Sequence, residues 1–215
     1  YASTNVKLIG ISGGVSYGAL GMTHHSTQDF AVMSSLTGMR VYDPSDHKQM
    51  TALIEALLKD DLPAYIRVSR SATEDVFGDD MEFTLDKANV LMKGNDVVIA
   101  SAGEIMPYAK KAAVKLNEEG VSTGLIDMYC IKPFDEKTLL EQVKNARMVV
   151  VAEEHGPYGG LGALTAQCLS EHDPKKLVHI CLPDEHLISG SNKEIFAYYG
   201  LDDKGIVNRV KEELK

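Results

Sequence analysis

Short apolar runs alternate with amphipathic helical stretches along almost the whole chain, and this alternation most constrains the fold. Residues 6–11 ("VKLIGI"), then "PAYIRVSR", "DVVIAS", "VSTGLIDM", "MVVVAEE" and "LVHICL", all have strand length. Between them, Met50, Leu53, Ile54, Leu57 and Leu58 keep the i, i+3, i+4, i+7, i+8 rhythm of a core-facing helix. Ile105, Ala109, Ala112 and Leu116 mark a second helix closed by Gly120, and Leu139, Leu140 and Val143 mark a third opened by Asp135. Another helix is expected from a Ser26 or Thr27 cap to about residue 36, with Phe30 and Met33 on its apolar side. Two short helices are expected at the C-terminal end. Strands that each hand over to a helix imply parallel sheets covered on both faces, an α/β fold.

Residues 71–80 are polar and acidic, contain Gly78 and show no period, so they read as a linker. They divide residues 1–80 from residues 81–215, two parallel-sheet α/β units. The front unit is small for its pattern, with three strands and two helices. The chain opens at Tyr1 and enters a strand at once, which points either to a processed start or to residues upstream. Missing neighbours would leave an apolar sheet edge uncovered.

A net charge of −9 argues against nucleic-acid partners, because an acidic surface repels phosphate backbones. No apolar run approaches the ~20 residues of a membrane span. Cys130, Cys168 and Cys181 are odd in number and widely spaced, which fits neither a disulfide framework nor a CxxC metal pair. Reduced thiols and a cytoplasmic location are the expectation.

The stretch "GALGMTHHSTQDF" places glycines and two adjacent histidines before a helix. The spacing from His24 and His25 to Asp29 matches no zinc pattern, so no metal is assigned. One reading makes a histidine a cap or packing residue at the helix start. The other puts an imidazole where the glycines let a ligand approach the backbone and the helix N-terminus adds positive potential. Arg67 and Arg70 lie three apart near the end of a strand, on opposite faces unless the strand ends between them. One can be structural while the other faces a cleft; for Arg67 a surface salt bridge and an anion clamp both stand.

Together, "GMTHHSTQDFAVMSSLTGMRVYDPSD" and "PAYIRVSR" resemble the pyrimidine-binding domain of the transketolase family of thiamine diphosphate enzymes. "DVVIASAGEIM", "GLIDMYCIKPFD", "VVVAEEHGPYGGLG" and "YGLDDKGIV" resemble that family's C-terminal domain, in order. The resemblance covers essentially the whole chain. It implies thiamine diphosphate and a bridging magnesium, held mainly by a diphosphate-binding N-terminal subunit or domain. It implies assembly as a homodimer or heterotetramer, and transfer of a two-carbon ketol unit between sugar-phosphate-like substrates. His24 falls on the Thr-His histidine, which serves the substrate's reacting oxygen. Arg70 falls on the strand-end arginine that grips a distal phosphate. The pyrimidine-binding residues and catalytic glutamate are expected upstream of Tyr1, so the chain alone is expected to be inactive.

His25 has no fixed family role. Cys130, Glu153, Glu154 and His155 fall in the C-terminal domain, where "EEHGPYGGLG" is expected to serve architecture and subunit contact. Two departures bear on substrate. Leu20 stands where sugar-using members carry an aspartate, and "SGG" at residues 12–14 supplies only a hydroxyl and backbone amides where a histidine or arginine helps hold phosphate. A deoxy, branched or less phosphorylated ketose is therefore expected. The resemblance also leaves open a deoxyxylulose-phosphate-synthase-like enzyme, a 2-oxo acid dehydrogenase β subunit, or a non-catalytic assembly subunit.

Overall fold

The structure, a computed structural model, describes residues 4–70 and 72–215; the Tyr1 start and Ser71, where the expected linker begins, lie outside these. The front region contains β1 (Lys7–Ile11), α1 (Asp29–Ser34), β2 (Arg40–Tyr42), α2 (His47–Leu57) and β3 (Ala64–Val68). The rear region contains β4 (Asn89–Met92), β5 (Val97–Ser101), α3 (Met106–Glu118), β6 (Thr123–Asp127), β7 (Cys130–Lys132), α4 (Glu136–Val143), β8 (Met148–Ala152), α5 (Leu161–His172), β9 (Lys176–Ile180), α6 (Asn192–Tyr199) and α7 (Asp203–Leu214).

The rear sheet runs β4-β6-β5-β8-β9, and four of its strands are parallel. Alternate residues go to opposite faces. Val97, Ile99, Met148 and Val150 join the core under α3, α6 and α7. Val98, Ala100, Val149 and Val151 join the core under α4 and α5. Burial on both faces explains why these strands read as unbroken apolar runs.

The front sheet runs β1-β3-β2-β7, so its fourth strand comes from the rear region. Each sheet is mixed rather than purely parallel: β7 lies antiparallel to β2, and β4 antiparallel to β6. Three- and four-residue strands carry too little alternation to announce themselves, and an antiparallel edge needs no helical crossover. The two regions also share cores. Tyr129 and Cys130 sit with Tyr42, Leu53, Leu57 and Ile66 of the front, and Lys132 Nζ donates to the Ser34 and Leu36 carbonyls at 2.7 Å, closing the end of α1.

Three expectations need correction. Residues 6–11 do not form a buried strand: among the described residues β1 pairs only with β3, and Leu8, Ile9 and Ile11 are exposed, Ile11 by 71%. Leu58 is no core residue, because α2 ends at Leu57 and leaves it in solvent. The first helix starts at Asp29 without a side-chain cap; the Ser26 backbone is committed to Gly14, and the Thr27 carbonyl to Gly156 N.

The supposed linker is fastened down. Asp46 caps α2 through Gln49 N, and its other oxygen accepts from Val76 N and Phe77 N at 2.9 Å each. Those side chains are buried in the rear core. No helix among the described residues is long and apolar enough to cross a membrane.

Arg67 is the centre of the junction between the regions. It is 3% exposed, forks onto Asp29, donates to the Ser26 carbonyl (3.1 Å) and the Glu154 carbonyl (2.9 Å), and lies 3.9 Å over the Phe30 ring. It is therefore neither a surface salt bridge nor an anion clamp. Burial alone would raise the Asp29 carboxyl, but Arg67 outweighs it and holds it below the usual range. Asp43, packed against the α-carbon of Gly103, is not so well compensated: burial raises it to about 7, against the pull of Arg67.

Asp46→Ala is expected to cost about 2 kcal/mol or more in urea unfolding, because it removes a helix cap and two amide acceptors together. The Asp43 carboxyl binds its proton more tightly folded than unfolded, so its charging lowers stability as pH rises from about 4 to 7. Asp43→Asn is expected to flatten that decline and to unfold later than the parent at pH 8. An unchanged pH–stability profile would show that Asp43 is ionised at no cost.

Candidate active-site cleft

The Gly-rich loop leaves β1 through Ser12, at φ 68°, and is pinned at both ends. Gly14 and Ser26 exchange two backbone hydrogen bonds of 2.8 and 2.9 Å. Glu154 packs beneath: its carboxylate accepts from Val15 N at 2.6 Å, and a Cβ on Gly14, itself at φ 60°, would lie 2.1 Å from its Cδ. Only glycine fits there. The apex is tied across the molecule by Gly190 N, which donates to the Gly18 carbonyl at 3.1 Å.

Between these pins, two 3-10 turns, Gly18–Leu20 and Met22–His24, present Tyr17 and His24 together. Their rings are 5.7 Å apart and tilted. His24 is exposed, and its Nδ1 is 2.9 Å from Thr23 Oγ1, which leaves Nε2 for an incoming group. Arg70 lies just past the end of β3. Its guanidinium sits 4.3 Å over the Tyr17 ring and donates to the Tyr17 hydroxyl. So the strand does end between the two arginines, and the structure brings His24 and Arg70 to one aromatic ring.

Tyr17 and Arg70 line a cleft of about 640 Å³, whose other walls include Leu20, Glu104, Tyr108 and Lys193. Its size suits a small molecule. Glu104 holds the walls together, accepting from Ser69 Oγ at 2.7 Å and from Asn192 Nδ2 at 2.8 Å. The "SGG" turn offers fewer amides than expected. Ser12 N is spent on the Val68 carbonyl, Gly14 N on Ser26, and Val15 N on Glu154.

His25 is not in this cleft. It lies against the Gly18 carbonyl, where burial lowers its pKa, and lines a separate pocket of about 390 Å³ with Asp184 and His186. Glu153 caps α5 through Leu161 N and Gly162 N and pairs with His179 at 2.6 Å. His155 stacks on Phe30, ring planes 4° apart. Cys130 is buried, and burial raises its thiol. With Glu154 beneath Gly14, these residues of the rear region are scaffold. Tyr17 escaped sequence reasoning; its only signal is an aromatic inside a run of glycines.

Leu20 and Met22 are exposed apolar side chains of the same loop, but they line separate pockets, Leu20 the cleft beside Arg70 and Met22 the pocket beside His25. No group of three His, Cys, Asp or Glu that could hold a metal ion occurs among the described residues.

Residues 2–75 match the transketolase pyrimidine-binding domain, and residues 86–206 the transketolase C-terminal domain. One subunit of an apulose-4-phosphate transketolase from Phocaeicola vulgatus is 42% identical over the whole chain, which covers 69% of that protein. A 6-deoxy-6-sulfo-D-fructose transketolase subunit from a Clostridium species is 34% identical over 99% of this chain and 66% of its own length. A split-gene transketolase, solved as an inactive tetramer of its beta chains, superposes with a TM-score of 0.84 and 31% identity, over 96% of this chain and 65% of that one. The chain thus spans about two thirds of the length of these relatives. With both domains matched in order across nearly all its residues, it belongs to the transketolase family.

Proposed function

We propose that this chain is the part of a split, thiamine diphosphate-dependent transketolase that supplies the substrate-facing wall, and that it acts with a diphosphate-binding subunit. The supporting observation is the stack of His24, Tyr17 and Arg70. It sets a proton-handling imidazole and a fixed cation on one rigid ring, as a short polar substrate with an anionic end requires. Thiamine diphosphate, when bound, supplies the nucleophilic carbon and electron sink for ketol transfer. His24 holds or moves a proton at the substrate's reacting oxygen. Arg70 takes the anionic end, and Tyr17 orients both.

Leu20, 56% exposed, can offer no hydrogen bond to a substrate hydroxyl. That supports a ketose that differs from ordinary pentose phosphates, by a branch, a missing hydroxyl or fewer phosphates. The names of the relatives, one acting on apulose 4-phosphate and one on a sulfonated deoxy sugar, point the same way.

The test is ketol transfer by the chain assembled with its diphosphate-binding subunit, with and without thiamine diphosphate. His24→Ala is expected to lower kcat by about 100-fold or more. Arg70→Ala is expected to raise KM for a phosphorylated substrate about tenfold with a smaller effect on kcat. Undiminished turnover in His24→Ala would remove the proposed role, and acyl transfer to a lipoyl group in place of ketol transfer would replace the reaction.

A further inference from the structure

The three cysteines all lie in the rear region, in different surroundings. Cys130 is buried, its thiol donates to the Pro133 carbonyl at 2.9 Å, and burial pushes its pKa up. Cys168 is buried in the core under α4 and α5, and burial raises its thiol to about 11. Cys181, one residue past β9, is half-buried. Val178, Ile180 and Leu182 are buried while His179 and Cys181 are not, so strand alternation puts the imidazole and the thiol on one face. Both line a pocket of about 360 Å³ with Tyr199, Asn208, Arg209 and Glu212. None of its lining residues belongs to the Tyr17 cleft.

The His179 ring is fixed in place. Its Nε2 is 2.6 Å from Glu153 Oε1, which leaves Nδ1 for the thiol. The ring lies against the α-carbon of Gly162, where a Cβ would stand 2.2 Å from Nε2. Glu153 is buried and also accepts from Leu161 N and Gly162 N at the start of α5, so helix amides share its charge with the imidazole. Burial opposes a charge on the ring, but the hydrogen bonds to Cys181 and Glu153 outweigh it, and its pKa rises to about 10. Of the other charges on the pocket, Arg209 is paired with Glu213 at 3.0 Å, and Glu212 is exposed, where water and salt screen it. The least-screened charge beside the sulfur is therefore the imidazolium. A cation next to a thiol favours the anion, which is the nucleophilic form.

We infer that Cys181 is a modification site, a nucleophilic thiol served by His179 and Glu153 that takes up one half of a small disulfide. The Cys181 sulfur attacks one sulfur of the disulfide. The disulfide's S–S bond breaks as the new one to Cys181 forms. The other half leaves as a thiolate and takes a proton from solvent, replacing the one that the Cys181 thiol gave up. Cys181 is oxidised and the departing half is reduced, so the disulfide is the only oxidant required. The retained half has the pocket beside Tyr199 and Asn208 to occupy. The inference does not depend on the ketol-transfer reading, since the two sites share no residue.

The experiment treats the chain, assembled with its diphosphate-binding subunit, with bis(2-hydroxyethyl) disulfide at pH 7 and follows peptide masses over time. An adduct on Cys181, removed by dithiothreitol, is expected to form several-fold faster than the same adduct on free N-acetylcysteine. Cys130 and Cys168 are expected to stay unmodified. Exposure alone cannot carry a half-buried thiol past a free one, so this comparison separates activation from access. His179→Gln is expected to slow the exchange about tenfold. Cys181→Ser is expected to abolish the adduct. Cys181 reacting no faster than N-acetylcysteine would overturn the inference, as would an undiminished rate in His179→Gln with the parent's circular dichroism. The first comparison uses the parent alone, so it decides the matter even where His179→Gln fails to fold.

Discussion

The junction at Arg67 is the constraint on which the site depends. A guanidinium can be buried only if its five donors are met, because an unpaired buried charge is far too costly. Here the partners come from three places: Asp29 at the start of α1, Ser26 at the end of the Gly-rich loop, and the Glu154 carbonyl just after β8. Meeting the charge therefore fixes the loop, the helix and the rear sheet relative to one another. His24 lies two residues before Ser26, so its position is set by the same requirement.

The rear loop holds the front loop by a second, independent means. Glu154 fills the space beneath Gly14, and burial raises its carboxyl well above the ordinary range, with the nearby Glu104 adding to the shift against the pull of Arg67. The "EEHGPYGGLG" segment thus spends its carboxylates on positioning: one on the loop amide of Val15, the other on the first turn of α5. Its glycines let backbones approach, with Gly156 N reaching the Thr27 carbonyl at 2.7 Å. This Gly-rich stretch is here the support for another loop.

How much of this the sequence shows depends on how far each signal extends. Long runs were legible: the two-sided burial of β5 and β8 wrote itself as almost unbroken apolar residues, and the helix α3 kept its stripe of Ala109, Ala112 and Leu116. β4 and β7 were not, since their identity lies in the strands they meet rather than in their own few residues. The two arginines show the same limit. Spacing said that they could part company, but only the end of β3 at Val68 decided which one would be buried. Tyr17 has no periodicity to report, and its role exists only because the chain returns Arg70 to its face. The strand at residues 7–11 shows a further limit. Its composition demanded burial, yet among the described residues only β3 lies beside it.

The stack also limits what can react there. His24 and Arg70 both lie against a single ring, 5.7 and 4.3 Å from its centre, which bounds the distance between them. On the reading proposed, a substrate must place its reacting oxygen and its anion within that span. A sugar phosphate of a few carbons can do so, whereas a long acyl chain cannot use both groups at once. Tyr17 is well suited to hold this spacing, since its two χ angles leave little freedom and its hydroxyl is bound to the cation above it. On the same reading, Leu20 would discriminate by what it withholds: with no donor or acceptor at that point, a hydroxyl facing it would lose its water without gaining a partner.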